Sequence, residues 1–595
     1  MPSVVESCHR IRLERVVASS LILAGFALGA APAQAAPKLD RQLDRQLRLA
    51  KTTDIVRLIV ATKPGSKAAE ITRLKGLGGT LLYDFTKLPN SFAAKGTAAV
   101  IKSYLTGTNV LVGSSDARVK VNGLTGSVTG TALNSTYSLG AELGVPNFAC
   151  AAGTAVAVID SGIANVPDFA GRIVQARDFM QGQANGVNVS PSVDPYGHGT
   201  HIAGLIAGAL SPVRGVATGC NLVSLRVLDG TGAGNTSDVI QALQWMTDNS
   251  ARYGVSVLNL SLGHPPYEPA ATDPLVQAVE AASRTGLVVV VAAGNLGVKP
   301  STGLVGYGGI NSPGNAPSAI TVGAVRDQAT TQRTDDLVAD YSSRGPTWFD
   351  GFAKPDLVAP GHRLLSSAST SSYLYTNYAT MRGPSNNATG QATLYLSGTS
   401  MATGVVSGMA AALIDTARTR FGTSPTPNTV KAIMMKTAFT MGDALGIPYD
   451  VLTQGAGALN GAGALTLANA IDPRMPVASS WLVAGVTTNT TIDGQNVVWG
   501  DNVVWGDNVV WGDAVYTNRT AWANNVVWGD NVVWGDSFRM MTSASNVVWG
   551  DNVVWGDNVV WGDSYNVIGT SGLNVVWGDV AACNVVWGDV FTATK

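Results

Sequence analysis

Apolar and polar residues follow one another along this chain in three different rhythms. From Asp54 the run Asp-Ile-Val-Arg-Leu-Ile-Val predicts a strand. Residues 68–74 read as a helix, 80–83 and 91–94 as strands, 97–104 as a second helix and 110–112 as a last strand. This β-α-β-β-α-β order predicts a small α+β unit over 54–119. Glycine- and serine-rich sequence from 113 to 140 then predicts a linker.

Between 150 and 470 near-continuous apolar runs at 155–159, 255–259 and 287–291 alternate with helical patterns at 237–247, 275–284 and 401–414. Strands that are apolar on both faces belong inside a parallel sheet covered by helices. The expected fold class is α/β, in one large domain over 145–470. At 496 the pattern changes again. Asn-Val-Val-Trp-Gly-Asp begins there and recurs at 502, 508, 525, 531, 546, 552, 558, 574 and 584. A six-residue period is even, so extended copies face the same way. Gly-Asp-Asn between copies is turn chemistry. Segment 496–595 is therefore expected to be a β-rich repeat tail, either a solenoid or stacked hairpins. Its Asp-Asn edge suits calcium and its Trp face suits polysaccharide or a cell envelope. A structural stalk or a low-complexity segment is the plainer reading and the one preferred.

Composition narrows the class. With 46% hydrophobic and 13% charged residues, the chain cannot be a charged disordered polymer. The net charge of −1 hides an asymmetry. Residues 1–120 carry 18 Lys/Arg against 8 Asp/Glu (+10), 121–495 carry 18 against 22 (−4), and 496–595 carry 3 against 10 (−7). No segment clusters its bases as a nucleic-acid surface does, so no nucleic-acid partner is expected. At the start, Arg10, Arg12 and Arg15 precede an apolar run over 16–30 and then Ala33-Gln34-Ala35. Those are the parts of a secretory signal peptide, here 1–35, and the run is short of the roughly 18–20 residues of a membrane span. A secreted protein is expected. Outside the cytoplasm Cys150 and Cys220 can pair or remain two buried thiols, while Cys583 is left odd once Cys8 departs with the leader.

Four motifs carry chemistry, each ambiguous alone. Val158-Ile159-Asp160-Ser161-Gly162 puts a carboxylate at the C-terminal edge of a strand, where α/β folds build sites and where turn residues also gather. Gly197-His198-Gly199-Thr200-His201 sets a histidine at the head of an apolar helix; the His198/His201 pair lacks a third metal ligand nearby. Ala292-Ala293-Gly294-Asn295 follows a buried strand and offers an amide that can hold an oxyanion. Ser397-Gly398-Thr399-Ser400-Met401-Ala402 opens a small-residue helix, whose N-terminus favours developing negative charge. Together they supply a nucleophile, a base, an orienting acid and an oxyanion donor.

With these residues in this order, the chain resembles the subtilisin-like serine peptidases (subtilases) from about 145 to 470. The resemblance implies that Ser400 attacks a peptide carbonyl, His198 carries the proton, Asp160 orients the imidazole, and Asn295 with the Ser400 amide binds the oxyanion. It also implies that Ser261, Leu262 and Gly263 form one wall of the primary substrate pocket and Ala292, Ala293 and Gly294 the other, with Asn311 near its floor. The expected substrates are proteins or peptides with an apolar or mid-sized side chain in that pocket, and the chemistry needs no cofactor. Val166-Pro167-Asp168 resembles a calcium-binding segment of the family, one residue short, which makes Asp168 a candidate ligand for a structural calcium. Two departures stand out. Thr403-Gly404-Val405 follows Ala402 where the family usually has Met-Ala-x-Pro, so Gly404 stands in the proline's place, three residues after Met401, which is expected to loosen the start of that helix without removing a catalytic atom. A polar insertion at 366–393 is expected to form a rim or lid. Finally, the 54–119 unit resembles the family's inhibitor-like propeptide, removed by the enzyme itself, with a permanent accessory domain as the alternative.

Overall fold

The computed structural model describes residues 38–121 and 139–498, apart from 146–147, 151–152, 181, 184, 211, 299–302, 329, 331, 476–485 and 487–488, together with short strands between 510 and 577. The leader and much of the linker lie outside the described residues.

The N-terminal unit begins before the expected boundary at 54. It runs through β1 (Lys38–Leu39), α1 (Arg41–Leu49), β2 (Ile55–Thr62), α2 (Lys67–Gly76), β3 (Thr80–Asp84), β4 (Ser91–Thr97), α3 (Ala98–Tyr104) and β5 (Val110–Ser115). Helix α1 is capped by Asp40 and buries Leu43 and Leu47, one turn apart on one face. The sheet order is β1-β5-β2-β4-β3. One sheet face, with Val56, Leu58 and Val60, packs under the unit's own helices. The other, with Ile59, Tyr83, Phe85 and Ala93, joins the core of the following domain. Period-two alternation along β2 thus feeds two cores at once.

The expected linker is not all linker. Residues Arg118–Val121 form strand β6, which lies between two strands of the large domain. That domain starts with α4 (Leu139–Glu142), β7 (Ala155–Asp160), β8 (Ile173–Asp178), β9 (Val187–Asn188), α5 (His198–Ala207) and β10 (Asn221–Arg226). Next come β11 (Ala233–Asn235), α6 (Thr236–Tyr253), β12 (Val255–Leu260), β13 (Leu262–Gly263), α7 (Pro274–Arg284) and β14 (Val288–Ala292). They are followed by β15 (Ile320–Arg326), β16 (Leu337–Val338), β17 (Leu357–Pro360), β18 (Leu364–Ala368), α8 (Tyr373–Asn377) and β19 (Ala392–Leu396). The last elements are α9 (Thr399–Phe421), α10 (Pro427–Thr437), α11 (Val451–Gln454), α12 (Gly461–Ala470), β20 (Asn489–Ile492) and β21 (Gln495–Val498).

Its main sheet has the order β16-β15-β14-β12-β7-β10-β8-β9, with β17 also paired to β15. Neighbours from β15 to β8 are parallel, as the two-sided apolar runs require. Helix α9 is long and apolar enough to cross a membrane, but 94% of its apolar window is buried inside the protein. It is the core helix of a layered domain. Gly404 in place of the proline does not loosen it: the helix is regular from Thr399, and the Thr403 hydroxyl donates to the Thr399 carbonyl at 2.8 Å.

The domain also extends past 470. Strand β21 includes Asn496, Val497 and Val498 of the first repeat copy and pairs antiparallel with β20. Ile492 and Val497 are buried, and the Asn460 amide donates to the Thr490 hydroxyl at 3.0 Å. Among later copies, Val526–Trp528 pairs in parallel with Val547–Trp549, and Val559–Trp561 with Val575–Trp577, Trp opposite Trp in each. Parallel pairing needs a return connection between copies, as in a solenoid and unlike a hairpin.

Candidate active site

Strand β7 is central to the sheet and ends at Asp160, so this carboxylate sits at the carboxyl edge, fully buried. His198 opens α5. The residue before it, Gly197, has φ 105°, and a Cβ there would come within 2.5 Å of the Ser372 hydroxyl. At Gly199 a Cβ would meet the Gly162 carbonyl at 2.1 Å. Gly197 thus lets the helix start press on Ser372, and Gly199 lets it touch the end of β7. Asp194 secures that start, accepting from the Gly197 and Thr200 amides (2.7 and 2.8 Å) and the Thr200 hydroxyl (2.7 Å). Sequence analysis passed over Asp194, although an Asp shortly before an apolar helix is a capping signal.

The imidazole Nδ1 of His198 lies 2.9 and 3.0 Å from the two oxygens of Asp160. A carboxylate there holds the proton on Nδ1 and leaves Nε2 as the basic nitrogen. Ser400 sits in the first turn of α9, and its hydroxyl donates to the Ser261 carbonyl at 3.0 Å. To reach a base the hydroxyl leaves that carbonyl by rotation about the Cα–Cβ bond. The Asn295 carboxamide is fixed by its oxygen, which accepts from the Thr399 amide (3.0 Å) and hydroxyl (3.1 Å). With the oxygen held on the α9 start, the NH₂ group is turned the other way, as an oxyanion donor requires. Thr399 is a second residue that sequence analysis missed; its only signal was its place beside Ser400.

The expected pocket residues do come together. Gly263 and Gly294 both face Asn311: a Cβ at Gly263 would lie 3.3 Å from Asn311 Cβ, and one at Gly294 3.0 Å from its amide nitrogen. The Asn311 backbone N–H donates to the Ala293 carbonyl at 3.0 Å. Gly263, Gly294 and Asn311 thus lie against one another.

Asp168 and His201 lie elsewhere in function. Asp168 is buried, and its carboxylate accepts from the Ala209 and Leu210 amides (2.7 and 2.8 Å) and the Ser367 hydroxyl (2.6 Å). The Arg172 guanidinium donates to its backbone carbonyl. A carboxylate surrounded by donors does not fit a cation, so the expected calcium ligand is instead a clamp between the loop after α5 and β18. His201 is buried, and its Nε2 lies 3.1 Å from both the Leu364 and Leu394 carbonyls. Burial pushes its pKa down to about 3, with the charge of His198 adding to the effect. It is a neutral core histidine joining β18 to β19, the frame of the 366–393 insertion. That insertion is no loose lid: the Tyr373 and Leu374 amides donate to the Pro195 and Tyr196 carbonyls, and the rings of Tyr196 and Tyr373 stack 5.9 Å apart. It forms a fixed rim beside His198. Cys150 and Cys220 form a disulfide, with Cα atoms 5.0 Å apart, which settles that alternative.

Residues 151–464 match the Peptidase_S8 family, described as the subtilase family. Serine protease AprX of Bacillus subtilis is 37% identical over 320 residues, covering 52% of this chain and 65% of the relative. Subtilisin-like protease 2 of Pseudogymnoascus destructans is 36% identical over 303 residues, 50% of this chain and 62% of that one. The match thus spans a little under two thirds of each of these relatives. Among solved structures, fervidolysin from Fervidobacterium pennivorans, a keratinolytic enzyme related to subtilisin, superposes with a TM-score of 0.52 at 20% identity, over 81% of this chain and 70% of that one, which speaks to the fold. A family match over more than half the chain, on a sheet edge that joins Asp160 to His198 and brings Ser400 to Ser261, leaves one conclusion: this chain belongs to the subtilase family.

Proposed function

We propose that this protein is a secreted serine endopeptidase, exported by its 1–35 leader and matured by removal of its N-terminal unit. Ser400 is the nucleophile, His198 the general base and then acid, and Asp160 the group that orients the imidazole and stabilises its cation. Asn295 and the Ser400 amide hold the oxyanion at the start of α9, where the helix dipole adds to the effect. Ser261–Gly263 and Ala292–Gly294 flank the side chain of the residue being cut, above Asn311. The mostly small-residue walls suit an apolar or mid-sized side chain.

The observation that carries this reading is the bond of His198 Nδ1 to both Asp160 oxygens at the same sheet edge where the Ser400 hydroxyl rests on a substrate-wall carbonyl. The N-terminal unit is read as an inhibitor because its chain leads directly into β6, a strand lying across that wall. The chemistry calls for no cofactor. The repeated tryptophans of the tail would suit contact with a cell envelope or polysaccharide, while a structural stalk is the plainer reading, and by composition alone the tail is given no function. A fluorophosphonate probe tests the core of the proposal: it labels the mature protein on Ser400, and Ser400→Ala abolishes both the label and casein hydrolysis. An unlabelled wild-type protein with a folded circular-dichroism spectrum would refute it.

A further inference from the structure

The repeat copies after 500 pair with one another in one manner. Val526–Trp528 runs parallel to Val547–Trp549, Val559–Trp561 runs parallel to Val575–Trp577, and Val510 of the strand Val510–Trp511 meets Val527. In all three pairs a position of one copy stands beside the same position of another, valine by its equivalent valine and, in the two longer pairs, tryptophan by tryptophan. The connections between these strands are 13 to 18 residues long, so no tight turn sets the register. The strands set it themselves, like beside like, and a copy on another molecule carries the same strand.

These sheets end on open edges. Val547–Trp549 is the last strand of its sheet, and Val559–Trp561 with Val575–Trp577 makes a two-stranded sheet with no further strand on either side among the described residues. An edge offers a row of N–H and C=O groups to any strand that matches it, and natural sheets blunt it with proline or lysine. From 496 to 595 there is no proline, although the chain has 26, and the one lysine is the last residue, Lys595. Identical β-prone segments, parallel and in register, are also how strands of separate chains stack. Charge opposes the stack. All ten acidic residues of 496–595 are the Asp of a copy, against three Lys/Arg, so like copy beside like copy means like charge beside like charge. Salt relieves that repulsion.

We infer that the tail is a self-association module whose partner is the tail of a second copy of this chain. Edge strands of two molecules join by the same parallel, in-register ladder that joins copies within one tail. Copies in tandem make the contact multivalent, so several short strands together hold what one would not. The first copy takes no part, because its Asn496–Val498 is already paired with β20. The large domains are thereby gathered into oligomers through their tails.

Sedimentation velocity on the exported full chain tests this, with Ser400→Ala to keep its tail uncut. The weight-average mass is expected to rise from one chain to two or more with concentration, and further with added salt. The same chain ended after Val498, which keeps β21, should stay at one chain throughout. So should a variant carrying Val510→Pro and the same change at the second valine of every other copy from 502 onward, since proline removes the amide donor from the ladder while every tryptophan remains. A full chain that stays single at every salt concentration would overturn the proposal; if it then sediments with isolated cell envelopes, the partner is the envelope instead. Equal association by the proline variant would reduce the effect to non-specific attraction between tryptophans and overturn the ladder. Association by the chain ended at Val498 would place the contact on the large domain. Association that salt dissolves would be attraction between the acidic tail and the basic N-terminal unit, and would overturn the proposal as well.

Discussion

Asn295 shows how much a single side chain depends on its neighbours. As a sequence letter it is an amide after a strand; in the fold, two bonds from Thr399 fix which end of the amide faces the reaction. Replacing it with leucine should lower kcat by about 10²–10³-fold with KM little changed, because the donor acts on charge that develops only in the transition state. Steady-state kinetics on one peptide substrate checks this, and a loss confined to KM would reassign Asn295 to ground-state binding. His201 makes the opposite case, a histidine without a proton to trade. Its pKa in the fold is about 3 against an ordinary 6.5, so the unfolded chain takes up a proton first as pH falls. The stability it contributes is complete above about 6.5 and declines toward pH 3, by about 1.4 kcal/mol per pH unit. Unfolding free energies from urea titration of wild type and His201→Gln, which keeps a donor for both carbonyls, should therefore converge by about 2 kcal/mol between pH 8 and pH 5. Parallel pH profiles would show that His201 is not held neutral. The motif containing both histidines was plain in the sequence; that one faces Asp160 and the other two carbonyls of the rim was not, because helical spacing says nothing of what packs on each face.

Among the elements, strands and helices of the large domain were legible where the apolar period was long. The expected runs at 155–159 and 287–291 correspond to β7 and β14, and the pattern at 401–414 lies within α9. Short amphipathic pieces were harder. Helix α1 rests on just two buried leucines among charged residues, and β6 is four residues within glycine-rich sequence, ordered by its partners on either side. Another feature hidden from sequence joins β17 to α10. Lys354 and Lys431 both bond to Asp356, at 2.7 and 2.9 Å, and also reach the Ala319 carbonyl, all of them buried. Burial lowers the Lys354 pKa to about 8, against the pull of Asp356. Asp356→Asn leaves two buried ammonium groups without their counter-charge and should cost about 3–5 kcal/mol. A denaturant midpoint unchanged from wild type would mean that water or relaxation compensates.

At the scale of the whole molecule, the N-terminal unit is docked by polar contacts as well as by its sheet. Asp116 accepts from the Ser237 amide and hydroxyl at the start of α6 (2.8 and 2.9 Å), and the Tyr83 hydroxyl donates to Asp238 at 2.7 Å. Across the same interface, Asp40 of the unit and Glu268 and Asp273 of the large domain line one small cavity with His264. Burial, then the charge of Asp273, pushes the Glu268 pKa up to about 9, and burial also raises that of Asp40. Carboxyls with pKa values raised in the docked state favour docking below their ordinary values and lose that contribution as pH rises through the raised ones. Inhibition of the mature enzyme by added 38–121 polypeptide should therefore weaken steadily from about pH 5 to pH 9, and Glu268→Gln should flatten the slope. A dependence of opposite sign would place the ionised forms in the complex.

The boundary between what was readable and what was not follows from the range of the forces. Residue order alone determined the alternation of buried strands and helices, the repeat, and the four motifs, because periodicity, glycine placement and turn chemistry are expressed among near neighbours; the roles of the four side chains and the pocket walls came from the resemblance those motifs carry. Only the tertiary structure decided that Asp168 is filled with protein donors, that Cys150 meets Cys220, that the first repeat copy packs on the large domain, and that residues 118–121 lie in the cleft. Each depends on segments up to about two hundred residues apart supplying hydrogen bonds or apolar surface to one another, and that supply exists only once the chain has folded.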